Sequence, residues 1–197
     1  MIGAAISNIL IPSMRSFALG LALLAVVFAF SCADRLAEYY PLAVGNRWVY
    51  RTTYHDTGEV KRQTDEIVHR FENSYQLSSG THIVHLKNNS FMDSSGVILT
   101  YPIEEGHSWR LGGKSARYTS VDKTVAVPAG TFHHCLEVLI EEKRDGALFF
   151  ATIAYAPGVG PVKMEYVKIE GGERTPLFTS ELVEYHINPK GKPTGCW

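Results

Sequence analysis

The sequence predicts an all-β domain, built as one antiparallel and strongly curved sheet or partial barrel, with a two-layer β-sandwich as the alternative. Three observations predict it. Stretches of alternating apolar and polar residues recur through the chain, as from Trp48 to His55. Turn sequences such as Asp56-Thr57-Gly58 and Arg144-Asp145-Gly146 separate these stretches. No segment beyond the amino-terminal region has the apolar stripe of a long amphipathic helix.

Composition is that of a globular protein with an apolar start. The chain has 197 residues, of which 45% are hydrophobic and 20% charged, and its net charge is −1. These values suit a single domain. Without a basic cluster, nucleic acid is not an expected partner. We predict one β domain over residues 40–187 and a flexible tail over 188–197.

The amino-terminal region reads as a helical secretory signal. The uncharged run FALGLALLAVVFAF spans residues 17–30 and follows Arg15. A basic start, an apolar core of this length and a small residue at the exit are typical of a signal peptide. The run is shorter than the roughly 20 residues of a membrane-spanning helix. We predict a signal peptide over residues 1–31, with Met14 as a candidate true start.

The end of this signal resembles the lipobox of bacterial lipoproteins. Ala29-Phe30-Ser31 precedes Cys32, and a small residue is usual beside the cysteine. The resemblance implies that Cys32 is lipidated and begins the mature chain, with residues 32–39 as a tether to the membrane. It also implies the outer membrane, facing the periplasm, if the source is Gram-negative, because Ala33 rather than aspartate follows the cysteine. The alternatives are an uncleaved anchor and a secreted protein with a chance cysteine.

A nine-residue phrase, Y-P-aliphatic-x-x-G-x-x-W, occurs twice. The copies are YPLAVGNRW at residues 40–48 and YPIEEGHSW at residues 101–109. Proline favours an extended residue before it, and Gly45 and Gly106 permit a turn with positive φ. Trp48 and Trp109 then each begin a strand and anchor the core. A turn with a core anchor is the favoured interpretation, and a ligand-binding motif is the alternative.

The other predicted strands follow from period-two alternation and from the turns that end them. The ten strands, including the one begun by Trp48, cover residues 48–55, 59–71, 75–77, 82–87, 97–101, 116–127, 134–143, 148–155, 162–169 and 176–187. The run LFFATIAY, residues 148–155, is apolar on both faces and therefore predicts a central strand. In the strand over 134–143, alternation places Leu136 and Val138 on one face and Cys135 on the other.

Three phrases resemble a group of exported bacterial proteins, many of them lipoproteins. They are YYPLAVGNRWVY (39–50), VPAGTFHHCLEV (127–138) and YAPGVGPVKMEY (155–166). The resemblance implies an exported all-β domain. It supplies no catalytic residues.

Two cysteines remain after Cys32. Cys135 lies in a predicted strand and Cys196 in the tail. An exported location permits a disulfide between them. The alternative is that no disulfide forms, with Cys135 as a small buried residue and Cys196 as a free thiol.

No pattern predicts an active site, a metal site or a cofactor. His82 and His85 are three residues apart, which places them on opposite faces of a strand. The neighbours His133 and His134 also point to opposite faces. The pairs Glu104-Glu105 and Glu141-Glu142 diverge for the same reason, so neither is a glycosidase pair. Other candidate metal ligands would have to converge from distant positions; they are His55, His69, His107 and His186.

The aromatic residues are the feature that favours binding. In a half-open barrel such rings fill the core or line a pocket for an apolar ligand. The candidates are Trp48, Tyr50, Tyr54, Trp109, Phe149, Phe150 and Tyr155. We expect a lipid-anchored envelope protein with a structural or binding module, in contact with the membrane through its lipid and with envelope proteins or a hydrophobic ligand. The alternatives are a carrier of an acyl chain or lipid and, less favoured, an enzyme of unrecognised type.

Overall fold

The computed structural model describes residues 34–86 and 90–188. Within these ranges the chain forms one short helix, α1 (Asp34–Tyr39), and twelve strands. The predicted signal peptide, Cys32 and residues 189–197 of the predicted tail lie outside the described residues. The strands are β1 (Arg47–Tyr54), β2 (Val60–Phe71), β3 (Ser74–Leu77), β4 (His82–Leu86), β5 (Ser90–Asp93), β6 (Gly96–Thr100), β7 (Ser108–Leu111), β8 (Lys114–Val127), β9 (Gly130–Arg144), β10 (Ala147–Ala156), β11 (Gly160–Glu170) and β12 (Glu173–His186).

All twelve strands belong to a single antiparallel sheet that curves until it is nearly closed into a barrel. The order across the sheet is β6-β5-β4-β3-β2-β1-β12-β11-β10-β9-β8-β7. The all-β prediction of a curved sheet or partial barrel is therefore confirmed, and the sandwich is not the fold adopted. Ser90–Asp93 is a strand that the sequence did not predict.

The sheet consists of two six-strand meanders, and each begins just after one copy of the repeated phrase. Strands β1–β6 pair in chain order, as do β7–β12, and the two meanders join where β1 pairs with β12. Two-residue turns make such pairing local: Asp145 and Gly146, between β9 and β10, both have positive φ, as a type I′ turn requires. Strand β10 is paired on both sides, as its apolar sequence predicts.

Side chains close the seam between the two edge strands. The Trp109 indole on β7 donates to the Val97 carbonyl on β6 at 2.7 Å. The Tyr118 hydroxyl donates to the Thr100 carbonyl at 2.6 Å and accepts from the Thr100 amide at 3.3 Å. These bonds satisfy backbone groups of edge strand β6. They hold β6 beside β7 without a complete ladder of backbone hydrogen bonds between the two strands.

The core fills one end of the curved sheet, and the residues just after the predicted lipidation site are part of it. Leu36 of α1 is only 1% exposed and packs with Trp48 and Tyr40. The Gly158 amide in the β10–β11 turn donates to the Glu38 carbonyl at 2.7 Å. Residues 34–39 therefore form a helix docked on the sheet, where the sequence indicated only a tether.

A bulge in β9 alters the predicted faces of that strand. His134 has a φ of 56°, and the β8–β9 register shifts between Lys123, opposite Cys135, and Val125, opposite Phe132. One extra residue on β9 breaks the alternation. The extra residue lies before Cys135. Cys135 and Leu136 are both fully buried, so the alternative in which Cys135 is a small buried residue is the one found.

Candidate binding cleft

An open cleft adjoins the packed core of the sheet. A row of aromatic rings crosses four adjacent strands there, because cross-strand partners share a face. Tyr54 and Phe178 are register partners with ring centroids 5.9 Å apart. Phe178 pairs with Tyr166, at 5.3 Å, and Phe149 stacks on Tyr166 at 5.9 Å. The row therefore follows the register of β1, β12, β11 and β10.

Two adjoining cavities make up the cleft. One has a volume of about 350 Å³ and lies against β1 and β2, where Tyr50 and Gln63 line it. The other has a volume of about 420 Å³ and extends towards Ile98 and Ile140. Their volumes fall in the range of small-ligand sites. They share five lining residues, which are Ile153, Tyr155, Pro161, Met164 and Phe178.

Buried tyrosines form the wall between the cleft and the core. The Tyr50 hydroxyl donates to the Pro161 carbonyl at 2.9 Å. Tyr40 stands edge-on to Tyr155, with centroids 6.2 Å apart. Burial raises the pKa of all three tyrosines above the usual value, and the Asp65 carboxylate adds to the rise at Tyr40 and Tyr50. These phenols therefore stay neutral and act as rigid wall groups.

The charged residues of the cleft divide into paired and unpaired groups. Lys163 lies 2.8 Å from Glu165, and Lys114 lies 3.1 Å from Glu142. The hydrogen bond from Lys163 lowers the pKa of Glu165. Asp65 accepts a hydrogen bond from the Gln63 amide at 3.1 Å.

The other acidic group of the cleft is Asp93, which accepts from the Ser95 amide at 2.7 Å and from the Ser95 hydroxyl. No ion pair among the described residues includes Asp65 or Asp93. The two carboxylates are therefore held by hydrogen bonds and carry uncompensated charge.

Apart from Tyr40, which lines the second cavity, the repeated-phrase residues do not line the cleft. Trp48 is 2% exposed and donates to the Val159 carbonyl at 2.6 Å, on the core side of the tyrosine wall. Trp109 lies at the seam. Gly45 and Gly106 have φ values of 89° and 83° in the turns before β1 and β7. Trp48 was one of the aromatic candidates for lining a pocket, and it lines neither cavity.

Four of the seven aromatic candidates do line the cleft, namely Tyr50, Tyr54, Phe149 and Tyr155. Sequence reasoning missed Phe178, Tyr166 and Met164. Alternation within β11 and β12 places them on the concave face, and the register of the hairpin around Gly171-Gly172 was the signal that would have found them. No local signal marks Asp65 or Asp93, because only the tertiary fold brings β2 and β5 to the same cleft.

The cysteine predictions fall mostly outside the described residues. Cys32 and Cys196 are not among them, so lipidation and a Cys135–Cys196 disulfide stay predictions. Cys135 is fully buried, and burial raises the pKa of its thiol to about 11. Its thiol is consequently protonated and protected from attack in the folded state.

The histidines and carboxylate pairs were the other candidates for a metal or catalytic site. Across residues 34–86 and 90–188, no three His, Cys, Asp or Glu side chains group closely enough to hold a metal ion. His134 binds Asp122 at 2.6 Å, but both side chains are about three-quarters exposed. In the same part of the chain there is also no helix with the length and apolarity needed to cross a membrane.

Comparison with known proteins yields fold similarity only. No protein-family model matches the chain, and neither does any curated protein. Two solved structures are similar: a predicted lipoprotein from Parabacteroides distasonis, with 13% identity, and a predicted exported protein with a YmcC-like fold from Bacteroides fragilis, with 14% identity. They cover 75% and 73% of this chain, and 98% and 96% of their own, each with a TM-score of 0.48. Neither similarity is close enough to transfer a function.

Proposed function

We propose that this protein is an exported, lipid-anchored protein of the cell envelope whose β domain binds a small ligand with an apolar part in the concave cleft. The observation that carries the proposal is the aromatic row. Tyr54, Phe178, Tyr166 and Phe149 line an unfilled cleft, whereas Trp48, beyond the tyrosine wall, is packed into the core. Apolar surface left open in this way is typical of binding sites.

The anchor rests on the sequence. A signal-like segment ends at Cys32, and the docked helix α1 begins two residues later. The short connection supports a position of the β domain close to the bilayer surface. In a Gram-negative source we assign it to the periplasmic face of the outer membrane. A hydrophobic ligand from the membrane is then within reach of the cleft.

Ligand binding is tested with N-phenyl-1-naphthylamine, a neutral probe whose fluorescence rises in apolar surroundings. We expect saturable binding at one site per chain. Phe149 lines the cleft and its sequence neighbour Phe150 does not, so Phe149→Ala should weaken binding and Phe150→Ala should not. If Phe149→Ala unfolds, Met164→Ala is a second cleft variant, and it should also weaken binding of the probe. Absence of saturable binding by the wild type, or equal loss in the Phe149 and Phe150 variants, would contradict a binding cleft.

The anchor is tested separately by Cys32→Ser in the full-length chain. We expect the variant to keep its signal, to lack acyl groups by mass spectrometry and to leave the lipid-modified fraction. Wild-type processing of the variant would show that Cys32 is not the acceptor.

A further inference from the structure

The charge of the cleft narrows the class of ligand, on the premise that the cleft binds one as proposed above. Both lysines that line it, Lys114 and Lys163, already pair with glutamates. The two carboxylates without a basic partner, Asp65 and Asp93, line the adjoining cavities, one each. The cleft therefore has acidic groups without counter-charges, next to aromatic rings.

Asp65 and Asp93 flank the tyrosine wall, because each lines one of two cavities that share Tyr155. Asp65 and Asp93 both act electrostatically on the Tyr40 hydroxyl, and Asp93 also acts on Tyr155. Since Tyr155 lines both cavities, one ligand lying across it is close to both carboxylates. In partly buried surroundings such charges interact more strongly than in bulk water.

The aromatic row already binds cations at its two ends. The Lys61 ammonium lies 5.3 Å from the centroid of the Tyr54 ring, and the Arg144 guanidinium lies 4.4 Å from that of Phe149. The faces of these rings are thus oriented so that positive charge is attracted to them. Neither Lys61 nor Arg144 lines the cavities, whereas Asp65 and Asp93 do.

We propose that the cleft binds a small organic cation, in which an ammonium group lies between Asp65 and Asp93 and an attached apolar chain packs along Phe178 and Met164. Carboxylates and ring faces both favour a positive head group, and the apolar lining favours a short chain. A free cationic amphiphile and a lipid with a cationic head share this chemistry.

The test compares three probes with the same eight-carbon chain: octyltrimethylammonium, octan-1-ol and octanoate. Titration calorimetry on the folded protein, at low salt and below micelle-forming concentrations, gives each affinity. We expect the cation to bind about tenfold more tightly than the alcohol, and the alcohol more tightly than octanoate. Added salt should weaken binding of the cation and leave the affinity for the alcohol unchanged.

The matched variant is the double substitution Asp65→Asn with Asp93→Asn. Asparagine keeps the acceptor oxygens for Gln63 and Ser95, so the fold is retained and only charge is lost. We expect the affinity of this variant for the cation to fall to its affinity for the alcohol. Asp122→Asn removes one exposed charge outside the cleft, and this control should leave all three affinities unchanged.

The outcomes separate the two proposals. If the alcohol binds as tightly as the cation, or octanoate binds best, the cleft is a binding site and the cationic class is wrong. Failure of all three probes to bind contradicts the proposed function itself. Vesicles that carry a cationic lipid, compared with neutral vesicles, then decide between a membrane source and a free amphiphile: selective recruitment of the wild-type protein that the double substitution abolishes identifies the membrane.

Discussion

The two copies of the repeated phrase have the same backbone and different surroundings. In each, the glycine amide donates to a carbonyl on the second strand of the hairpin that the phrase begins. Gly45 donates to Ile67 on β2 and Gly106 to Tyr118 on β8, both at 2.9 Å. The acceptor residue then donates its own amide to the carbonyl just after the glycine, at 2.9 Å and 3.0 Å. The phrase is thus a local unit that turns the chain and starts a hairpin.

Burial separates the copies. Tyr40 is 8% exposed and Tyr101 is 39% exposed, and Trp48 is fully enclosed where Trp109 is half-buried. The reason is position in the sheet. The strand after the first copy, β1, is paired on both sides, whereas β7 pairs in register only with β8 and lies at an edge.

The comparison shows which properties a short sequence determines. Turn geometry and the start of pairing depend on residues within the phrase, so both copies reproduce them. Burial depends on which strands arrive later, so it differs. Substitutions at matched positions should therefore diverge where tertiary packing matters and agree where backbone conformation matters.

The largest divergence is expected at the tryptophans. Trp48→Ala should lower the free energy of unfolding by about 3–5 kcal/mol, since a buried ring is lost and a cavity remains. Trp109→Ala, which removes a half-buried ring, should cost about 1–3 kcal/mol. Denaturant titration measures both.

Phenylalanine substitutions separate ring packing from the indole hydrogen bond. Trp48→Phe and Trp109→Phe each leave one carbonyl unsatisfied, that of Val159 or Val97. We expect the Val159 carbonyl, in the buried bond, to be the costlier loss. Equal effects of the two alanine variants would show that edge and centre are energetically alike, against the comparison.

A smaller divergence is expected at the residue after the glycine. Asn46 is 1% exposed, donates to the Pro41 carbonyl at 2.6 Å and accepts from the Asn188 amide at 2.8 Å. Asn46→Ala leaves both partners unsatisfied and should cost about 1–3 kcal/mol. His107 holds the matching place and stacks on Trp109 at 6.0 Å. His107→Ala should cost under about 1 kcal/mol.

Thermal unfolding of the two variants provides the measurement. Asn46→Asp is the control, because it keeps the acceptor for Asn188 while removing the donor to Pro41. Because Asn46→Asp also buries a carboxylate against the Pro41 carbonyl, it should be at least as destabilising as Asn46→Ala. A His107 variant less stable than the Asn46 variant would mean that the second copy, not the first, supports the sheet.

Sequence patterns predicted the parts of this fold that are local. Alternation located most strands, and dipeptides such as Asp145-Gly146 located the hairpins that join them. The phrase copies marked the start of each meander. These features depend on neighbours in the chain, so they are readable without the fold.

Other features required contacts between distant residues. The bulge at His134 has no signal in the composition, and the burial of both Cys135 and Leu136 depends on packing from elsewhere in the fold. The docking of α1 depends on Leu36 reaching the core. The cleft itself was only half predictable, because aromatic residues were visible in the sequence, whereas the charge contributed by Asp65 and Asp93 needs β2 and β5 brought together.

The smallest effects, and the closest agreement, are expected at the two glycines. A side chain at positive φ is strained by about 1–2 kcal/mol, so Gly45→Ala and Gly106→Ala should each be destabilising by roughly that amount. Space adds little difference: a new Cβ at Gly45 meets only the Asn188 amide nitrogen, at 3.9 Å, and one at Gly106 meets nothing within 4 Å. The control is Gly113→Ala, where φ is not positive, and denaturant midpoints should show little loss there. If Gly45→Ala were several kcal/mol more costly than Gly106→Ala, the turn would depend on burial, and the phrase would not be an independent local unit.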